Sequence, residues 1–203
     1  MNWLRRRGAV GAAEVGAAPA SAAAAQVAPG LALFLDGLQA DGSRNVLDLG
    51  PASEGNLRWF GAFARRVRVA DLLSAWRAEG ALADALEVLR SHPERPYDLV
   101  LAWNFLDHVA PEQRAEVVAC LGALTEPGAR LHFMIDMSEE PFVSPLRFTV
   151  MDEGHIRREQ AGPPQPSQPR LVPAEVERLM APFVVVHAFI LRGGMHEYVA
   201  VRR

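Results

Sequence analysis

The sequence predicts a doubly wound, Rossmann-like α/β domain whose mostly parallel sheet ends in an antiparallel C-terminal strand hairpin. Three observations carry this prediction. Short apolar runs alternate with segments whose apolar residues recur every three or four positions, the pattern of buried parallel strands separated by helices. The last two runs, 184–191 and 197–201, are separated by Arg192, Gly193 and Gly194, a link too short for a crossover helix, so these strands must be antiparallel. The chain has 203 residues, room for one ordinary domain with a tail and no second domain.

The elements follow in order. Residues 1–28 begin with Arg5, Arg6 and Arg7 and continue in alanine and glycine. Glu14 interrupts this stretch and large apolar side chains are scarce, so it reads as a flexible tail rather than a secretory signal. The domain is expected over 29–203. Residues 31–38 carry apolar positions at helical spacing until Asp41 and Gly42 break the pattern. Residues 45–50 form an apolar run ending in glycine, the first core strand. Leu57, Phe60 and Phe63 mark a helix face, and 66–70 a second strand ending at Asp71. Residues 81–89 read as a helix and 97–102 as a further buried strand, while 74–96 contain no clean extended run. Pro111 opens a helix, where its missing N–H costs nothing. Glu126, Pro127 and Gly128 stop that helix before a strand at 130–135. Pro173 opens a last helix over 174–180. Between them, 138–170 is an insertion: 148–151 and 156–159 around Asp152, Glu153 and Gly154 predict a small hairpin, with Arg147, His155 and Arg157 as polar candidates for a lid or acceptor wall.

Composition excludes several function classes. The 21 basic residues, all arginine, are outnumbered by 24 acidic ones, for a net charge of −3. A nucleic-acid binder that works by phosphate neutralisation would show the opposite excess. The single cysteine, Cys120, excludes a disulfide framework and a multi-cysteine zinc site within one chain. It falls on an apolar helix face with Val117, Leu121 and Leu124, as an inert buried thiol does. His132, His187 and His196 lack metal-ligand spacing. No apolar stretch approaches the ~18 residues that cross a bilayer, and the expected location is cytoplasmic.

In an open α/β sheet the ligand binds beyond the carboxyl ends of the strands. Three such ends carry chemistry here. Gly50, Pro51, Ala52, Ser53, Glu54 and Gly55 follow Asp48 and lead into a helix whose first N–H groups are free. Asp71, at the end of the second strand, either accepts ribose hydroxyls or is a polar strand end. Trp103 and Asn104 follow the 97–102 strand, with Asp107, His108 and Val109 close behind. Asn104 serves a ligand or a local turn; Trp103 reads as core or pocket wall. His108 is either a general base or a packing residue. Gly50, Ala52 and Gly55 with Asp71 also fit a dinucleotide fingerprint, which would suit a nicotinamide-dependent oxidoreductase.

Taken together, Val46 to Gly50, Asp71, Tyr97 to Ala102, Leu106 to Val109, Glu126 to Gly128 and the closing hairpin resemble the class I S-adenosylmethionine-dependent methyltransferases over residues 31–203. The resemblance implies methyl transfer from S-adenosyl-L-methionine to a small-molecule acceptor, with no nucleic acid and no membrane partner. It implies that Gly50, Pro51, Ala52 and Gly55 line the methionine part of the cofactor, that Asp48 orients this loop and reaches the cofactor's amino group, and that Asp71 holds the ribose. Asp84 is the candidate adenine contact, Asn104 stands beside the sulfonium, and His108 is the candidate catalytic group. The family's loop is Gly-x-Gly-x-Gly; here Ala52 and Glu54 replace its second and third glycines. That departure keeps open a methyltransferase-like protein without catalysis.

Overall fold

The computed structural model describes residues 25–91 and 96–203; the stretch 1–24 of the expected tail lies outside them. The chain forms β1 (Gln26–Val27), α1 (Pro29–Leu35), β2 (Arg44–Asp48), α2 (Glu54–Gly61), β3 (Ala64–Val69), α3 (Leu72–Glu79), α4 (Leu82–Arg90) and β4 (Tyr97–Trp103). A 3₁₀ turn (Phe105–His108), α5 (Pro111–Ala123) and β5 (Thr125–Asp136) follow. The insertion holds β6 (Phe142–Val143), β7 (Leu146–Asp152), β8 (His155–Gln160) and β9 (Gln165–Pro166). Then come α6 (Pro173–Leu179), β10 (Phe183–Ile190) and β11 (Met195–Arg202).

Six strands make the main sheet in the order β10-β11-β5-β4-β2-β3. β3, β2, β4 and β5 run parallel. β11 is antiparallel to both β5 and β10, as the Arg192–Gly194 link requires. The strands alternate between two cores. On β2 and β4, Leu47 and Val100 face the layer of α3 to α6. Val46, Leu99, Leu101 and Trp103 face α1, α2 and the β7–β8 hairpin. Both faces are covered, which is why consecutive residues of these strands, Val46 and Leu47 on β2 and Leu99 to Trp103 on β4, are apolar.

Three sequence expectations change. The tail does not extend to residue 28: Gln26 and Val27 pair with Ile156 and His155 of β8, and Ala28 is fully buried. The region 72–90 is two helices, one of them unforeseen. Asp71 caps α3 by accepting from the Ser74 N–H, and Gly80 ends it in a left-handed conformation at φ 80°. On α4, Leu82, Ala85, Leu86 and Leu89 are buried at helical spacing. Among the described residues no strand forms there, so β3 is the sheet edge, and its Arg65, Arg66 and Arg68 put charge on an otherwise open edge. Finally, Glu126 to Gly128 do not separate α5 from its strand; β5 starts at Thr125, and the register against β4 jumps from Thr125 to Arg130.

A buried polar cluster docks α1. The Glu197 carboxylate, on β11, accepts from the N–H groups of Gly30 and Leu31, each at 2.8 Å, and lies 2.8 Å from His132 Nε2. Both side chains are fully buried. Glycine at 30 is required: a Cβ there would stand 2.6 Å from Glu197 Cδ.

Candidate functional site

The carboxyl ends of β2, β3 and β4 meet at a cleft lined by Gly50, Pro51, Asp71, Trp103, Asn104 and His108. Pro145, Leu146 and Ala161 of the insertion close its far wall, and Ser74 and Arg77 of α3 reach it from the side.

Two residues here leave the usual backbone regions. Asp71 has φ 37° and Trp103 has φ 48°, the non-glycine positive-φ residues among those described. Such conformations hold where surrounding structure imposes them, and they concentrate at functional sites. At Asp71 the bend turns the half-buried carboxylate toward the cleft, where among the described residues its hydrogen-bond partner is the Ser74 N–H. At Trp103 it turns the indole inward over Gly50.

Asp48 is the hub beneath the cleft. It is buried at 1% exposure. Its Oδ1 accepts from Trp103 Nε1 at 2.6 Å and the Gly50 N–H at 3.0 Å, and its Oδ2 from Asn56 Nδ2 at 3.0 Å. Burial pushes its carboxyl up to about 6, against these three donors, which favour the charged form. Asn56 extends the hub into the insertion: its Nδ2 also donates to the Phe148 carbonyl and its Oδ1 accepts from the Val150 N–H. Ser53 Oγ lies 3.0 Å from Thr149 Oγ1, and Phe148 stacks on Trp103 at 4.9 Å with the planes 2° apart. The glycine loop, Trp103 and β7 are therefore one interlocked unit.

His108 is buried, with Nε2 3.4 Å from Asn104 Nδ2 and no partner for Nδ1 among the described residues. Burial, helped by the nearby Arg77 charge, pushes its imidazole down to about 4. It is neutral at ordinary pH. On the other side of the 3₁₀ turn, Asp107, Arg114 and Asp136 line a separate cavity of about 310 Å³, walled by segments 138–143 and 167–170. Asp107 accepts from the Asp136 N–H at 3.0 Å, and burial holds its carboxyl well above the usual range.

Among solved structures, the molecule resembles the 1,6-didemethyltoxoflavin-N1-methyltransferase of Burkholderia thailandensis, crystallised with 1,6-didemethyltoxoflavin and S-adenosylhomocysteine. The TM-score is 0.51 at 18% identity, over 86% of this chain and 76% of that one. An S-adenosylmethionine-dependent methyltransferase from Clostridium acetobutylicum gives a TM-score of 0.54 at 10% identity, over 86% of this chain and 91% of that one. This chain has the class I methyltransferase fold. No family model and no curated protein sequence matches it.

Of the residues singled out in the sequence, Gly50, Pro51, Asp71, Asn104 and His108 line this one cleft. Asp48 lies behind them with both oxygens engaged by protein donors; it orients the loop through the Gly50 N–H. Ala52 and Gly55 line the outer flank of the loop instead of the cleft. Neither has a positive φ, so the alanine brings no backbone strain. The Glu54 carboxylate is exposed and paired with Arg58 one turn along α2. Asp84 sits exposed in the first turn of α4, outside the cleft. His155 pairs with Asp152 at the hairpin tip, 2.8 Å away. Sequence reading missed Asn56 and Arg77. Asn56 could be sought as the polar residue on the first turn of a helix whose other inward positions are apolar; Arg77 belongs to a helix the sequence did not reveal.

The donor set suits an adenosyl ligand: a carboxylate facing the cleft at the end of β3, close backbone at Gly50, and an unpartnered buried nitrogen on His108. The shape is closed. A Cβ on Gly50 would stand 2.8 Å from Trp103 Cδ1, and the cleft offers about 30 Å³, against the ~300 Å³ or more of small-molecule pockets.

Proposed function

We propose that the protein transfers a methyl group from S-adenosylmethionine to a small-molecule acceptor. The observation that carries this reading is Asp71, held in a left-handed conformation with its carboxylate on a cleft at the carboxyl ends of β2, β3 and β4. When bound, the cofactor supplies a methyl already activated by its sulfonium. The protein's task is then alignment more than proton chemistry. Asp71 would accept the ribose hydroxyls, the Gly50 and Pro51 backbone would face the methionine moiety, and Asn104 would stand beside the sulfonium. His108, neutral and weakly basic, would offer Nδ1 as a hydrogen-bonding atom; it positions rather than deprotonates. The acceptor would occupy the cavity between Asp107, Asp136 and the insertion, across the 3₁₀ turn. No helix of the described residues is long and apolar enough to cross a membrane, consistent with our reading of a cytoplasmic enzyme, and the acidic excess favours no nucleic-acid partner.

Calorimetric titration with S-adenosylmethionine, S-adenosylhomocysteine and NAD tests this. The expected result is binding of the first two and none of NAD. Asp71→Ala is expected to weaken S-adenosylhomocysteine by about 10- to 100-fold, the loss of about 1.5–3 kcal/mol in hydrogen bonding to a charged group. NAD binding alone would turn the assignment to an oxidoreductase. A second reading, a methyltransferase-fold binding protein without catalysis, is favoured by one observation, the Trp103 ring filling the space over Gly50. A folded protein that binds neither sulfonium nor thioether ligand would establish that reading instead.

A further inference from the structure

We propose that the outer flank of the glycine loop is a binding site for an amphipathic organic anion, with an apolar body and one carboxylate or phosphate head. The site lies on the opposite side of the loop from the cofactor cleft and does not depend on the methyl-transfer reading.

The body has room. A cavity of about 610 Å³, walled by Leu35, Leu38, Trp59, Phe63, Val150 and Met151, opens between α1, α2 and the β7–β8 hairpin. This lies within the range of drug-sized ligand pockets, and its apolar walls with a few convergent polar groups are what such pockets show. A second depression of about 300 Å³, at the start of α2, shares Gly55, Arg58, Thr149 and Arg157 with it and adds Ala52, Ser53, Glu54, Arg147 and Glu159. The two form one groove, apolar at one end and, at the other, lined by three arginines against the two carboxylates of Glu54 and Glu159, an excess of one positive charge.

The cationic end is incompletely satisfied. Arg147 and Arg157 are near neighbours across the hairpin, where Thr149 pairs with Arg157 and Arg147 with Glu159. The Nε atoms of both arginines are buried and lack a hydrogen-bond partner among the described residues. Arg157 Nε, though outside hydrogen-bond geometry, stands 3.3 Å from Glu159 Oε1, and Arg58 is paired with Glu54; the unmet demand is therefore chiefly that of Arg147. No carboxylate among the described residues pairs with Arg147. A buried guanidinium nitrogen without an acceptor is an unmet demand, and a planar guanidinium meets it best with a carboxylate or phosphate. The first turn of α2, facing the same depression, adds its free N–H groups and positive dipole end.

The full chain would be titrated with octanoate and with octyl phosphate, followed by calorimetry and by Trp59 fluorescence, with Trp59→Phe removing the optical signal. The expected result is saturable one-to-one binding of at least one amphiphile, with octanol and inorganic phosphate each weaker by tenfold or more. The tighter amphiphile names the head group. Arg147→Gln and Arg157→Gln, on a surface hairpin, are each expected to weaken binding at least tenfold with unchanged thermal unfolding, and Leu38→Glu to abolish it at the apolar end. The S-adenosylhomocysteine response of Arg147→Gln should match that of the parent chain, which separates this site from the cleft. Absence of saturable binding by both amphiphiles overturns the proposal. So does binding that octanol matches, or that neither arginine substitution changes.

Discussion

The two flanks of the loop 50–56 are built on opposite principles. On the inner flank, every oxygen and nitrogen of Asp48 and Asn56 is matched to a donor or acceptor, and about 30 Å³ is left open. On the outer flank about 610 Å³ stands open and continues into the depression at Arg147 and Arg157, whose Nε atoms make no hydrogen bond among the described residues. The difference teaches that chemistry and room need not coincide: the inner flank holds the groups a nucleoside cofactor needs but has to loosen to admit it, while the outer flank is already shaped and still short of hydrogen bonds. Movement of Trp103 and of the insertion segment at Pro145, Leu146 and Ala161 is the conformational step that the closed cleft demands of a ligand.

Four experiments would sharpen or break this contrast. The largest effect is expected at Asn56. Asn56→Leu strands Asp48 Oδ2, the Phe148 carbonyl and the Val150 N–H in an apolar layer, at a cost of about 3–5 kcal/mol by urea unfolding. A loss below about 1 kcal/mol would mean that the inner lock is not real.

The second is pH. The Asp48 carboxyl is raised to about 6 in the folded state, so the native chain binds this proton more tightly than the unfolded one. Stability from this group is gained as pH falls from about 6 toward the unfolded value near 4. The His108 imidazole is lowered to about 4, so its contribution is full above about 6.5 and is lost as pH falls toward 4. Each shift of about two units corresponds to roughly 3 kcal/mol, and the two offset one another. Asp48→Asn removes one side. Because other buried groups such as Asp107 titrate alike in both proteins, urea unfolding is expected to show that between pH 6.5 and 4 this variant loses roughly 3 kcal/mol relative to the parent chain. Equal slopes in both proteins would contradict the raised Asp48 carboxyl.

Third, Trp103→Phe keeps a ring against Phe148 but removes the indole donor from Asp48. It should cost about 1–3 kcal/mol and raise the Asp48 pKa further, readable by NMR titration of the carboxyl. Smallest is the contrast between Gly55→Ala and Met151→Ala. A Cβ at Gly55 would stand 2.6 Å from Thr149 Cγ2, so overpacking should cost about 1 kcal/mol or more, relieved when Thr149→Ser is added. Met151, at 47% exposure on the open flank, should cost under about 1 kcal/mol by thermal melting. Similar losses at both positions would erase the distinction, within the outer groove, between the tight contact of the loop on β7 and the open apolar end.

The strands, most helices and the antiparallel close of the sheet were legible in the amino-acid order because they depend on local periodicity and on how short a link can be. The cleft residues Gly50, Asp71, Asn104 and His108 were legible for the same reason: they mark the carboxyl ends of strands, and the topology makes those ends converge. Asn56 and the Glu197–His132 pair were not, because their roles arise from partners 65 to 167 positions away and a buried polar side chain carries no local signature. The cap at Asp71 and the left-handed Gly80 define α3, but without an apolar stripe as clear as that of α4 its segment reads as featureless. The tertiary structure alone decided that Trp103 closes over Gly50, that Asp84 stands apart, and that Arg147 finds no carboxylate among the described residues. Each depends on where a side chain ends in space once the hairpin docks on α2, which no spacing rule in the chain encodes.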